Sequence, residues 1–203
     1  MTNIKQQLLD QFPILESPRL IMRQISADDT MEMFRCITDP LVQRHTSFQP
    51  ETLRFPARMY RYFEESYRTL RDLHFAVVQK RNQEQEEQWV GICSLQYWDE
   101  AIGKARLGYL FSPSSWNQGF ATEAVKSLLS FGFETMRLTV IEARCERDNP
   151  ASERVLQKSG MSYCGNISEY RNDAGNERHN LLKIYSISSF LDKEHRGAHL
   201  LHK

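Results

Sequence analysis

The chain has 203 residues, with 26 Lys plus Arg against 26 Asp plus Glu and 40% hydrophobic residues. That length suits one domain with a continuous core, and the balanced charge excludes a global preference for nucleic acid or an anionic membrane. No apolar run approaches the length of a membrane span, and residues 1–12 are too polar for a secretory signal, so a cytoplasmic protein is expected.

In chain order, residues 1–13 form a polar lead in which Ile4, Leu8 and Leu9 carry a weak helical pattern. They are expected to be peripheral to a single domain over 14–190. A first strand is read at 19–25. Ser26 with Asp29 three residues on forms a capping-box-like start for a helix carrying Met31, Phe34 and Ile37, ended by Asp39-Pro40. A second helix over 56–72 places Met59, Phe63 and Leu70 on one side, and a strand follows at 75–79. The wholly polar stretch 80–88 reads as an exposed hairpin end, and strands follow at 89–97 and 105–111.

Pro113 and the turn Trp116-Asn117-Gln118-Gly119-Phe120 then lead into a long helix, in which Ala121, Ala124, Val125, Leu128, Leu129 and Gly132 recur at helical intervals. A strand is read at 138–145. Asp148-Asn149-Pro150 introduces a short helix to about residue 159, and strands near 161–164 and 181–187 are separated by a polar loop at 172–176. The tail, 191–203, is polar with three histidines and is expected to fray. Adventitious metal binding by such a tail is not evidence of a metal site. Helices dispersed among seven strands with hairpin-length connectors argue for an α/β architecture: a mixed sheet with helices on both faces.

Four cysteines, Cys36, Cys93, Cys145 and Cys164, stand apart with no Cys-x-x-Cys pair. Reduced, mostly buried thiols are expected, not a zinc site or disulfide framework. Cys93 and Cys145 lie in apolar strand-like runs and read as inert.

The turn before the long helix aims unpaired backbone N–H groups and the positive end of a helix dipole at one point, which suits a phosphate. A glycine turn before a helix is also a common change of direction, and the fragment alone leaves both readings open.

Taken jointly, four runs carry a family resemblance: Leu107-Gly108-Tyr109-Leu110-Phe111, Trp116 to Ala124, Ile141-Glu142-Ala143-Arg144-Cys145, and Asn149-Pro150-Ala151-Ser152 through Met161. Their order and spacing resemble the GNAT superfamily of acetyl-CoA-dependent N-acetyltransferases, and more narrowly its RimJ/RimL-type branch, which acetylates N-terminal amines of ribosomal proteins. The opening Glu16-Ser17-Pro18-Arg19-Leu20-Ile21-Met22-Arg23 is similar to that branch, and the resemblance spans about residues 14–187. It implies a mixed sheet of about seven strands, with a splay between two parallel strands that holds acetyl-CoA. It also implies phosphates resting on the N–H groups of Asn117, Gln118, Gly119, Phe120, Ala121 and Thr122, and a pantetheine arm beside Tyr109, Leu110 and Phe111. Asn149 and Ser152 fall where the family places polar groups against the arm and sulfur. No metal is implied.

Two positions depart from the pattern. Trp116 replaces the usual Arg or Gln three residues before the turn glycine, so a phosphate contact is lost there. Arg106 stands where the branch often has Glu, removing an acceptor-side carboxylate.

Acyl transfer needs a neutral amine, an oxyanion site and an acid for the leaving thiolate. The family's usual tyrosine acid falls at Leu156, so the resemblance points to Ser152 as the acid, with helix capping as the alternative. Glu169-Tyr170 followed by Asn172 is similar to the run that supplies the base in this branch, making Glu169 the candidate base and a plain surface glutamate the alternative. Glu142 is a second candidate, whereas His74 and His179 read as ordinary strand-end residues.

Arg54, Arg58, Arg61, Arg68 and Arg71 fall along one helix face, read as either a solvated face with Glu64 and Glu65 as partners or an acceptor-side surface. Tyr60, Tyr62, Phe63 and Tyr67 could line an acceptor pocket or pack the core. The expected acceptor is a protein N-terminal amine. A small amine (aminosugar, polyamine or amino acid) and a non-catalytic CoA-binding sensor are the alternatives, in a monomer or homodimer.

Overall fold

The computed structural model describes residues 4–46, 55–81, 86–173 and 176–189. Its elements are α1 (Ile4–Asp10), β1 (Leu15–Glu16), β2 (Leu20–Gln24), α2 (Thr30–Thr38), α3 (Pro40–Gln43), α4 (Pro56–Arg68), β3 (Asp72–Gln79), β4 (Gln88–Asp99), β5 (Lys104–Phe111), α5 (Phe120–Glu134), β6 (Val140–Glu146), α6 (Pro150–Lys158), β7 (Ser162–Asp173) and β8 (Asn176–Ser188). The strands form one eight-stranded sheet in the order β1-β2-β3-β4-β5-β6-β8-β7, antiparallel except for the parallel pair β5 and β6. The eighth strand, beyond the seven expected, is the two-residue β1. It pairs Leu15 with Met22 and Glu16 with Ile21.

Two cores lie on opposite sheet faces. The larger packs α5 and the apolar side of α6 on Phe75, Val77, Cys93, Leu95, Leu107, Ile141 and Tyr185; the smaller packs Met33, Ile37, Met59 and Phe63 of α2 and α4 on Ala76 and Ile92. The alternation of successive side chains between sheet faces assigns each strand residue to one side. Gly132 lets α5 approach the sheet closely, since a Cβ there would stand 2.8 Å from Ile141 Cδ1.

Several boundaries differ from the sequence reading, for local reasons. The expected helix over 56–72 stops at Arg68, because Leu70 adopts a left-handed φ of 49° and Asp72 already begins β3. Asp39 ends α2 as expected but also caps α3, accepting from the Leu41 N–H at 2.8 Å. The last two strands form a hairpin longer than the expected 161–164 and 181–187, running to Asp173 and from Asn176. The lead segment is packed more tightly than expected. Leu8 is buried in the larger core, and its carbonyl accepts from the Tyr67 hydroxyl at 2.6 Å. Residues 191–203, read as a fraying tail, lie outside the described residues.

Candidate active site

The turn before α5 is built by two left-handed residues, Asn117 at φ 60° and Gly119 at φ 82°, a conformation glycine adopts freely and Asn tolerates. Phe120, 3% exposed, plugs the start of α5 into the core. The N–H groups of the first helical turn have no carbonyl partner within the helix and face outward with the positive end of its dipole. Trp116 donates its indole N–H to the Phe111 carbonyl at 2.8 Å, tying the turn to the end of β5. The Gln118 side chain is spent inside the turn, donating to the Ser114 carbonyl at 2.7 Å.

β5 and β6 pair from Lys104 with Val140 to Leu107 with Ala143. Both strands then continue, to Phe111 and Glu146, without pairing to each other. Their facing backbone groups at 108–111 and 144–146 form an open seam between parallel strands, which can take an extended, amide-bearing chain as an added strand.

Above the seam, on the α5 and α6 side, the Tyr109 hydroxyl lies 2.8 Å from Ser152 Oγ and 3.1 Å from the Ser152 carbonyl oxygen. Burial pushes the Tyr109 phenol well above its usual range, with the Ser152 hydrogen bond acting the other way. Asn149 caps α6, its Oδ1 accepting from the Ser152 N–H at 3.0 Å. The helix is anchored by Glu153, which accepts from Lys183 Nζ at 2.7 Å and from the Tyr185 hydroxyl.

Cys145 points to the same side. Burial raises its thiol to about 11, and that of Cys36 to about 12, so neither is poised as a nucleophile. Cys36, Cys93 and Cys145 are buried and Cys164 is exposed.

Glu169 does not join this cluster. The register places it with Glu142, Arg144 and Glu146 on the opposite face, toward α2 and α4, where its carboxylate pairs with the Arg144 guanidinium. Glu142 pairs with Lys104 at 2.8 Å, and Glu146 accepts from His45 Nδ1 at 2.8 Å. Ligand atoms of His45, Glu146 and Asp148 lie within 4.8 Å of one another. Arg106 stacks over the Tyr97 ring at 4.6 Å, opposite Glu142 in the register.

His74 corrects the strand-end reading: it lies inside β3, is 5% exposed and packs edge-on to Phe63 at 4.8 Å. The side chains of Tyr170, Asn172 and His179 lie outside what is described, as does Arg54. Of the other helix arginines, Arg58 and Arg61 are on α4, whereas Arg68 ends it and Arg71 follows it, pairing with Asp72 at 3.2 Å. Arg68 pairs with Glu65 at 3.5 Å. Phe63 is core, while Tyr62 remains 36% exposed.

The sequence reading missed Arg19 and Glu123 as partners. Arg19, at the entry to β2, donates through Nε to Glu123 Oε2 at 2.7 Å and through Nη1 to the Gln118 carbonyl at 2.9 Å. Arg19 lies in the Glu16–Arg23 run and Glu123 in the Trp116–Ala124 run, but 104 positions separate them, and nothing local signals the contact.

Residues 19–162 match the family described as Acetyltransferase (GNAT) domain. An uncharacterized N-acetyltransferase, YoaA of Bacillus subtilis (strain 168), is 30% identical over 160 residues, covering 78% of this chain and 88% of that protein. Among solved structures, the ribosomal L7/L12 alpha-N-protein acetyltransferase RimL in complex with coenzyme A superposes with a TM-score of 0.73 at 14% identity, covering 87% of this chain and 98% of that one. A spermidine N-acetyltransferase SpeG chimera from Vibrio cholerae and hSSAT gives 0.70 at 16% identity, over 84% of this chain and 95% of its own.

Proposed function

Because the chain belongs to the GNAT acetyltransferase family and so transfers acetyl from acetyl-CoA, we propose that its acceptor is the N-terminal α-amine of a protein or peptide, reached by direct attack in a ternary complex. The observation that carries this is the charge pattern of the sheet face toward α2 and α4. Two of the carboxylates there are offset by a full cation, Glu169 by Arg144 and Glu142 by Lys104, and Glu146 is hydrogen-bonded to His45. A polyamine needs surplus negative charge, which the Glu169–Arg144 and Glu142–Lys104 pairs do not offer, whereas a peptide terminus brings one amine followed by neutral amides.

Acetyl-CoA supplies an activated thioester, and the residues present fit it. The turn at 117–122 offers N–H groups to a pyrophosphate, and the open strand edges at 108–111 and 144–146 offer pairing to the arm. Glu169 takes the proton of the incoming ammonium, directly or through water. Ser152, backed by Tyr109, donates to the departing thiolate. The two candidates sit on opposite faces of the sheet with the seam between them, so amine entry and thiol departure occupy different sides.

The test is thiol release from acetyl-CoA by the purified protein with a panel of peptide N-termini and small amines, the product identified by mass spectrometry. Faster turnover of a polyamine, aminosugar or free amino acid than of every peptide removes the proposed acceptor. Tight CoA binding with no turnover on any amine makes the protein a sensor instead.

A further inference from the structure

Trp116 cannot supply the cation that the pyrophosphate turn would otherwise carry, yet a cation stands against that turn from a different part of the chain. Arg19 Nη2 lies 3.3 Å from where a Cβ on Gly119 would sit, and the guanidinium carbon is 4.6 Å from the centre of the Phe120 ring. Its orientation is fixed on one side only. Nε and Nη2 both reach Glu123 Oε2 at 2.7 Å, and Nη1 donates to the Gln118 carbonyl at 2.9 Å.

Glu123 is itself held by the Ser17 hydroxyl at 2.7 Å and the Arg19 backbone N–H at 2.8 Å, and is 16% exposed, against 48% for the Arg19 side chain. A guanidinium has five N–H donors. These contacts engage at most three and leave at least one on each terminal nitrogen, in a side chain that is half exposed beside the turn. The Gln118 carbonyl, whose oxygen would repel a phosphate, is occupied by Arg19.

We propose that Arg19 is the cationic member of the pyrophosphate site: pinned by Glu123, it neutralises the Gln118 carbonyl and presents its remaining N–H groups to the cofactor's phosphates. This rests on the reading that those phosphates sit on the turn at 117–122. Arg19 also joins β2 to the first turn of α5, so the β2 entry holds the shape of the site as well as its charge. A lysine keeps the charge but not the planar fork that grips Glu123 and Gln118 together.

The experiment is calorimetric binding of CoA, and of pantetheine, which lacks every phosphate, to the full chain as wild type, Arg19→Ala and Arg19→Lys, at two salt concentrations. The expected result is that Arg19→Ala weakens CoA about tenfold, the low end for a charge-assisted contact that is half exposed, with a smaller salt dependence. Pantetheine binding stays unchanged, and Arg19→Lys falls between. Equal loss for both ligands, or no loss for CoA, overturns the proposal, because Arg19 is then only a fold contact or irrelevant. A wild type that binds CoA no better than pantetheine overturns the phosphate reading itself. Retained pantetheine binding shows that each variant is folded.

Discussion

The Tyr109 hydroxyl and Ser152 Oγ stand 2.8 Å apart, joining the last half of β5 to the first turn of α6. When Tyr109 donates to Ser152 Oγ, the serine proton is free to point into the seam. Burial keeps the phenol protonated, so it serves as a fixed donor across the neutral range. Ser152→Ala is expected to lower kcat about 100-fold, and Tyr109→Phe about 10-fold, with the KM for acetyl-CoA little changed. Thiol-release kinetics check both. Unchanged turnover in Ser152→Ala leaves the serine as a helix residue only.

Glu169→Gln is expected to lower kcat by about 100-fold as well, because an amide cannot accept the ammonium proton. Since Glu169 pairs with Arg144, the variant needs a companion. Arg144→Gln breaks the same pair while leaving the carboxylate. Equal losses in the two variants would mean that the ion pair, not the base, matters.

Gly119→Ala tests the shape of the turn. At φ 82° a side chain costs about 1–2 kcal/mol of backbone strain, and its Cβ would press on Arg19 at 3.3 Å. CoA affinity is expected to fall by roughly tenfold or more, with far-ultraviolet circular dichroism preserved. Calorimetry decides it, and undiminished affinity would remove the turn from the cofactor site.

The core under the site is tested by Leu128→Ala. Leu128 is fully buried in the larger core on α5, and its truncation is expected to cost about 2–5 kcal/mol, read by urea denaturation.

Acid should weaken the fold through Asp29. Burial alone would raise this carboxyl, but Arg23 at 2.7 and 2.8 Å and the Ser26 N–H at 2.7 Å outweigh it and hold Asp29 below its usual range. A lowered folded value means stability that is complete above the unfolded value of about 3.9 and lost as pH falls through the folded one. Glu123 is lowered too: burial opposes, and Ser17 and Arg19 prevail. The melting temperature is therefore expected to be insensitive to these two groups from pH 6 to 8 and to drop below about pH 4. Asp29→Asn should flatten that drop while costing about 1–3 kcal/mol at pH 7.

Much of the fold was legible because it is written locally. The stripe from Ala121 to Gly132, the Ser26 and Asp29 box, the proline at 150 after its Asn cap and the alternation in 140–146 are each short-range patterns with one good structural solution. Errors fell where local preference gave way. The helix over 56–72 ended early at a left-handed Leu70, and β7 and β8 reach into the polar stretch read as a loop, to Asp173 and from Asn176, where their ladder outweighs poor strand composition.

The sequence by itself determined the order of the main helices and strands, the glycine turn and the seam-lining strands, since each depends on neighbours within one or two turns of chain, and the joint order and spacing of four such runs determined the family. Only the tertiary structure decided which of those pieces meet. It placed Tyr109 on Ser152, Glu169 on Arg144 across the other sheet face, and Arg19 on a turn about 100 residues away. Such contacts follow from strand order and side-chain direction, and no local pattern encodes a pairing between segments that touch only after the sheet closes.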